Sequence, residues 1–422
     1  MNNRELPNID GRLAYLKPGG KEWEALSEGA FLALVQDFGQ EARELAEEEK
    51  IKLGQNRQYL NDTLLKALQL PNLFFFAGSG TSLAEVQGPS MRDLWQKSML
   101  KSPDAGESDD DFGVLTEEAQ ATIDKVRYSE LENPNIEHFL SQCDAYLLFN
   151  EDEEVENFLN QVKKTILHEC SSFIDTEKSD ISCYQNLLQK LARRRVRDPR
   201  LKVFTTNYDM CFETAASDLG MMIVDGFSYT RNRKFDGKYF NYDVVRRESD
   251  SHEFVEGIVQ LYKLHGSVSW ERKGNDVFEV SEPSPENAVL IYPAKGKYQQ
   301  AFIQPHLELL SRFLESLRQP NSCLIIAGFG FNDDHLSEPV ISAIKSNPSL
   351  KLIISDYRAA SNINNQSRVI SRYWKDLSDL ASQGYDIHFI NGSFSEFVSI
   401  IPHLRALTPA DQLAKAVKAA GR

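Results

Sequence analysis

Phe74–Ser82, FFFAGSGTS, is the stretch from which the architecture of this chain is read. Three consecutive aromatics have the character of a buried strand. They run directly into Ala77-Gly78-Ser79-Gly80-Thr81-Ser82, whose small side chains let a backbone turn tightly and approach a ligand closely. A strand that ends in such a turn and opens a helix presents unpaired N–H groups and a partial positive charge, so the stretch reads as a phosphate cradle. The spacing falls short of the full G-x-G-x-x-G pattern, and the same kind of turn also occurs in α/β domains that bind nothing there.

The pattern recurs downstream. A strand at Leu201–Thr205 ends in Thr205-Thr206-Asn207-Tyr208-Asp209, and a helix runs from Met210 to Leu219. Ile258–Leu264 ends in His265-Gly266-Ser267. Strand-like pieces follow at Ser267–Arg272, Val277–Val280 and Val289–Tyr292, then a helix from about Gln304 to Arg318. Ser322–Ala327 ends in Gly328-Phe329-Gly330-Phe331-Asn332-Asp333-Asp334, Leu350–Ser355 ends in Asp356, and Tyr385–Ile390 ends in Asn391-Gly392-Ser393. Six strands that close on small or polar residues, with helices between most of them, predict an α/β fold with an open, doubly wound, mostly parallel sheet of Rossmann-like type. Ligands of such sheets bind outside the carboxyl ends of the strands, where these polar endings gather.

The flanks read as helical. Residues 1–70 are predicted as a helical N-terminal extension with one helix at Lys21–Lys52, whose polar end is EARELAEEEK, and a second at Arg57–Leu70 closed by Pro71. A helical insertion at about 101–200 interrupts a main domain of 71–402. It opens on the acidic loop Ser102–Phe112, carries the acidic run EDEEVE as a solvated face, and ends near Arg193-Arg194-Arg195-Val196-Arg197, which either meets phosphates or ends a helix. Residues 403–422 form a C-terminal tail. With 62 acidic against 47 basic residues, the net charge of −15 argues against a surface given over to nucleic acid. No apolar run approaches a membrane span, and MNNRELPNID does not read as a signal peptide, so a cytoplasmic protein is expected. Cys143, Cys170, Cys183, Cys211 and Cys323 are widely scattered, as suits free thiols. Without C-x-x-C or a His pair at ligand spacing, no structural zinc is expected.

Four of the strand endings resemble, in order, the motifs of the sirtuin (silent-information-regulator) family. Gly78-Ser79-Gly80-Thr81-Ser82 resembles its G-A-G-x-S with Ser79 in the Ala position, and Gly88-Pro89-Ser90-Met91-Arg92 resembles its G-I-P-x-F-R shortened by one residue. Thr205-Thr206-Asn207-Tyr208-Asp209 resembles T-Q-N-I-D, Leu264-His265-Gly266 matches L-H-G, and Gly328-Phe329-Gly330 stands where the family has G-T-S. The likeness covers about residues 70–400 and implies a sirtuin-type fold with NAD⁺ as substrate. Protein-deacylating members need two C-x-x-C pairs for zinc, and this sequence has neither. Its T-T-N-Y-D, L-H-G-S and G-F-x-F-N-D-D forms, with the Asn135–Leu140 segment, are similar instead to divergent bacterial sirtuin-like proteins that hydrolyse NAD⁺ in defence against phage. The compact stand-alone members form large oligomers and are encoded beside a HerA-type ATPase, so the resemblance implies a homo-oligomer with such a partner.

Cleaving the nicotinamide–ribose bond of NAD⁺ expels a neutral group from an already cationic ring through an oxocarbenium-like transition state. The reaction needs a positioned nucleophile and a base near the ribose hydroxyls more than it needs an acid. His265 can be that base, and Asn207 can hold a water or a ribose hydroxyl. The resemblance implies that Asp209 accepts from the nicotinamide carboxamide with Ser82 nearby. It places Gly78, Ser79, Gly80 and Arg92 at the pyrophosphate, and Gly328, Gly330 and Asn332 at the adenosine ribose with Asp356 as a hydroxyl acceptor. Each role has a plainer rival. His265 can be a satisfied strand-end histidine, Asn207 and Asp209 can cap the following helix, Asn332-Asp333-Asp334 can be another cap or a metal site, though one acidic pair without partners argues little for metal, and Arg92 can be a surface arginine. His306 and His335 read as structural. The competing functions are an NAD-dependent protein deacylase and a non-catalytic sensor of NAD⁺ or ADP-ribose.

Overall fold

The computed structural model describes residues 9–35, 44–101, 113–132, 134–175, 177–194, 198–248, 251–290, 304–364 and 371–403. The acidic loop at 102–112, Arg195–Arg197, Tyr292 and the tail from 404 onward lie outside the described residues, as does 36–43 of the first predicted helix. The strands in chain order are β1 (Ala14–Leu16), β2 (Glu24–Ala25), β3 (Asn72–Ala77), β4 (Leu201–Thr205), β5 (Met222–Val224), β6 (Val245–Glu248), β7 (Ser251–Phe254), β8 (Ile258–Lys263), β9 (Gly266–Lys273), β10 (Asp276–Glu279), β11 (Ala288–Leu290), β12 (Ser322–Ala327), β13 (Leu350–Asp356) and β14 (Ile387–Asn391). The helices are α1 (Glu28–Val35), α2 (Glu47–Leu68), α3 (Met91–Met99), α4 (Glu117–Val126), α5 (Ile136–Leu147), α6 (Glu153–Ser172), α7 (Ser182–Leu191), α8 (Cys211–Asp218), α9 (His306–Leu317), α10 (Asp334–Ser346), α11 (Ala359–Ile363), α12 (Arg372–Ser382) and α13 (Phe394–Ile400).

The main sheet runs β2-β1-β14-β13-β12-β3-β4-β8-β5. From β14 to β5 every neighbouring pair is parallel, while β1 and β2 add an antiparallel edge. The six strands read from their polar endings are all in the parallel part, and the α/β, doubly wound class holds. The aromatic run explains why β3 is central. Phe74 and Phe76 enter one core with Leu324, Ile326, Phe204 and the apolar faces of α9, α10 and α12. Leu73, Phe75 and Ala77 enter the opposite core with Ile325, Val203 and residues of α2, α7, α8 and α13. A strand buried on both faces is apolar throughout, as parallel strands between helix layers are.

Among the described residues between β3 and β4, α4, α5 and α6 pack beside α3 around Trp95, Phe139, Phe158 and Val162. That cluster also takes in Tyr208, Val268 and Leu290, so the insertion is seated against the loop after β4 and against β9 and β11. The N-terminal extension is not purely helical. β1 pairs with β14 and β2 pairs with β1, and Leu13, Tyr15 and Leu26 are buried in the core of the main sheet. Its long helix is also placed differently. α2 covers Glu47–Leu68 without a break, and Glu49 accepts from the Ala46 N–H at 2.8 Å, so the acidic run starts a helix instead of ending one, where its charge suits the dipole. Arg194 of the basic cluster is buried and donates to the carbonyls of Leu68, Leu70 and Pro71, which closes α2 at its carboxyl end. No helix among the described residues is long and apolar enough to cross a membrane.

Candidate active site

β3, β4, β8 and β12 end level with one another, because Ala77 pairs with Thr205 on one side and Ala327 on the other, and Thr205 pairs with Lys263. The chain passes from β3 outward to β4, and later returns to β12 on the other side of β3. The switch point of the sheet therefore lies here, the place where open α/β sheets bind ligands. The loops after β3 and β12 cross in contact. Gly78 N–H donates to the Ala327 carbonyl and Gly80 N–H to the Gly328 carbonyl, both at 2.9 Å. A Cβ on Gly78 would stand 2.5 Å from the Gly328 oxygen, and one on Gly328, whose φ is +60°, would stand 2.6 Å from the Gly80 carbonyl carbon. The glycines at 78, 80 and 328 are thus required by the crossing of two backbones. They hold Ser79, Phe329 and Gly330 in the lining of a cavity of about 170 Å³. The turn does not open an α-helix as its sequence suggests. Ser79–Thr81 and Ala84–Val86 form single 3₁₀ turns, and α3 begins only at Met91, capped by Ser90.

Asn207, Asp209, Ser82 and His265 share that cavity. The Asn207 amide donates to Ser82 Oγ at 2.8 Å and to Thr81 Oγ1 at 3.2 Å, and its own N–H is held by Thr205 Oγ1 at 3.0 Å. Ser82 Oγ donates to Asp209 Oδ2 at 2.6 Å, while Asp209 Oδ1 accepts from Cys211 N–H at 3.0 Å. Tyr184, buried beneath, reaches Ser82 Oγ at 3.1 Å and donates to Thr81 Oγ1 at 2.9 Å. Asp209 therefore holds the first N–H of α8 from the position before its N-cap, Met210, and at the same time it orients the serine that orients Asn207. Below them Lys263, 3% exposed, donates to the Asp209 carbonyl and pairs with Glu213 at 2.8 Å, fixing this loop from the sheet side. The network satisfies the Asn207 amide nitrogen. Its carbonyl oxygen, Oδ1, is buried without a hydrogen-bond partner.

His265 is 2% exposed, lies parallel to the His335 ring at 5.5 Å between centroids, and has a buried, unpartnered Nε2. Burial, with help from His335 and His306, holds its pKa well below that of a free imidazole, so the ring is neutral near pH 7. His306 hydrogen-bonds the Leu264 carbonyl at 3.0 Å, and burial lowers it to about 4. The reading of His265 as a satisfied strand-end histidine does not describe this ring.

Of the other residues singled out in the sequence, Asn332 lines the cavity. Arg92, in the first turn of α3, and Asp356 are not among the lining residues. Asp356 accepts from Arg358 N–H at 2.8 Å, and burial pushes its pKa up to about 6. Two acids that line the cavity are not assigned to it from the sequence: Glu137, and Asp333, which reads as a cap or a metal ligand. Glu137 is half-buried and accepts from the Tyr208 hydroxyl at 3.2 Å. Desolvation and the nearby Asp333 push its pKa up to about 8, with the tyrosine bond opposing. Asp333 is raised to about 7 by desolvation and by Asp334. The Asn135–Leu140 segment was visible in the sequence, but what brings Glu137 to the cavity is the seating of the insertion on Tyr208. Among the described residues no group of three or more His, Cys, Asp or Glu is placed to hold a metal.

Residues 201–378, which contain Asn207, Asp209, His265 and the loop after β12, are similar to a family described as SIR2-like domain. No curated protein matches the chain. A solved structure described as the structural basis for the mechanism and regulation of Sir2 enzymes is similar at 13% identity, over 81% of this chain and 94% of that one, with a TM-score of 0.38.

Proposed function

Proceeding from the SIR2-like domain at residues 201–378, we propose that this chain hydrolyses NAD⁺ to ADP-ribose and nicotinamide, as a regulated effector of anti-phage defence acting as a homo-oligomer with a HerA-type ATPase. The observation that carries the chemistry is a pair of orphaned atoms. Asn207 Oδ1 and His265 Nε2 are buried without partners in one cavity, at the ends of adjacent parallel strands. Buried polar atoms are almost always hydrogen-bonded, so two exceptions in one site ask for a ligand bearing hydroxyls or water.

The residues divide the work as follows. Asp209 and Ser82 lock the Asn207 amide so that its oxygen points to the ligand, where it can accept from the attacking water or a ribose hydroxyl. Neutral His265 accepts a proton or a hydrogen bond from the ribose edge, which a protonated imidazole would not do. The crossing of the two glycine loops sets Ser79 and Gly330 in the cavity wall, along which the remainder of a dinucleotide would extend. The defence setting rests on the resemblance of the T-T-N-Y-D, L-H-G-S and G-F-x-F-N-D-D motif forms, and the ATPase partner rests on the compact, stand-alone architecture and on no residue of this chain. The test is nicotinamide release by the purified protein, alone and mixed with the ATPase encoded beside it. Asn207→Ala and His265→Ala should each lose turnover by about 100-fold or more. Full turnover in either variant refutes the assignment.

A further inference from the structure

The cavity holds more acidic side chains than the division of work above uses. Glu137, Asp209 and Asp333 line it, no lysine or arginine is among its described lining residues, and its one basic side chain, His265, is held neutral by burial. Asp209 is tied to Ser82 and to the start of α8. Glu137 and Asp333 have no such employment. Asp333 is the N-cap residue of α10, yet its side chain makes no capping bond. Glu137 stands in the first turn of α5, a helix capped by Asn135, which accepts from the N–H groups of Glu137 and His138 at 2.9 and 3.2 Å. Ile136 and Phe139, fully buried in the insertion, fix that turn. The Tyr208 hydroxyl then fixes the carboxyl itself, and Tyr208 directly follows Asn207 in the chain. Two carboxyls without a basic partner, lining one cavity with two orphaned polar atoms, are complementary to a cation that also bears hydroxyls.

The substrate of the proposed reaction is such a group, with its positive nicotinamide ring and a ribose carbon that gains positive charge as the bond breaks. Resting on that reading, we propose that Glu137 is a catalytic residue supplied to the SIR2-like domain by the helical insertion, facing the nicotinamide-ribose and serving as general base for the attacking water. The bond between ribose C1′ and the ring nitrogen breaks, and its electron pair stays on nitrogen, which loses its positive charge. The water oxygen bonds to C1′, the Glu137 carboxylate takes one water proton, and that proton passes to solvent. The products are nicotinamide, ADP-ribose and one proton. The charge on Glu137 is disfavoured in the empty cavity by burial and by Asp333, and the arriving cation reverses that balance. Tyr208 is the positioning residue, holding one carboxyl oxygen and leaving the other for water.

The test compares wild type, Glu137→Gln and Glu137→Ala for NAD⁺ binding by thermal shift and for nicotinamide release, with and without sodium azide. Glutamine keeps an acceptor for Tyr208 but cannot take a proton. Glu137→Gln should therefore bind NAD⁺ within about threefold of wild type and release nicotinamide about 100-fold more slowly, in the range of general-base effects. Azide is a nucleophile that needs no base. In Glu137→Ala it should restore nicotinamide release and yield an azido-ADP-ribose visible by mass. Wild-type turnover in Glu137→Gln, or failure of azide to restore turnover in Glu137→Ala, overturns this inference while leaving the hydrolase reading in place. Absence of nicotinamide release from the wild type, with and without its partner, overturns both.

Discussion

Glu137 offers a prediction that needs no substrate. Its pKa stands at about 8 against an ordinary 4.5, so between those values the folded chain retains a proton that the unfolded chain gives up. Folding stability then falls as pH rises through this window, with the loss complete above about pH 8. At about 1.4 kcal/mol per pH unit the shift sets an upper bound of roughly 5 kcal/mol. Because Glu137 is half-buried at a cavity wall that water reaches, a net effect of about 1–3 kcal/mol is expected. Glutamine resembles the protonated acid and does not titrate. Glu137→Gln should match wild type near pH 5 and become more stable than wild type by about 1–3 kcal/mol near pH 9. Asp333, raised to about 7 by burial and Asp334, is coupled to Glu137, so the difference reports the loss of the Glu137 charge together with the relief of Asp333, both of which favour the variant at high pH. Urea denaturation at a series of pH values from 5 to 9 measures it. A difference that does not change with pH, or a variant less stable than wild type throughout, refutes the account of a carboxyl held against its charge. A gain in stability on removing a site residue is the usual mark of a group kept for function.

Three further outcomes follow from the same geometry. Tyr208→Phe removes the bond that lowers the Glu137 pKa, so the rise of kcat/KM with pH, centred near 8 in wild type, should move to higher pH and vanish in Glu137→Gln; an unchanged profile in Tyr208→Phe contradicts the positioning role. Cys170 also faces the Glu137 charge, but burial keeps its thiol protonated well above this range. Lys263→Met leaves Glu213 buried and the Asp209 carbonyl without its donor, which should cost about 3–5 kcal/mol in urea denaturation; a cost under about 1 kcal/mol would show that the pair does not hold the loop. Gly328→Ala puts a Cβ 2.6 Å from the Gly80 carbonyl carbon at a φ of +60°, so it should lower Tm by several degrees and abolish thermal stabilisation by NAD⁺; wild-type behaviour in both would mean that the two loops are free to part.

Much of the fold was legible because strands buried on both faces spell themselves out as apolar runs. Leu201–Thr205 and Ser322–Ala327 match β4 and β12 residue for residue. β1, β2 and β5 were not legible, since two- or three-residue strands are set by a partner such as β14 and not by their own propensity. β6 and β7 lie in VRRESDSHEF, too polar to signal a strand. In the site, Asn207 and His265 were legible as polar residues directly after buried strands. The glycines were read for the right loops, but the neighbour they accommodate in the structure is another backbone. Glu137 was not legible, since its place depends on how a helical insertion some seventy residues before Tyr208 seats upon it. The acidic run before α2 was read at the wrong end of a helix because charge alone does not say which terminus it serves.

The most direct measurement of the central claim is a product balance with NAD⁺ and purified protein, with and without the proposed ATPase partner and with no peptide added, followed by chromatography. Nicotinamide and ADP-ribose appearing in equal amounts, in a reaction lost in Asn207→Ala, is the predicted result. Nicotinamide that appears only when an acyl-lysine peptide is supplied, or NAD⁺ that stabilises the protein and is never cut, would contradict it.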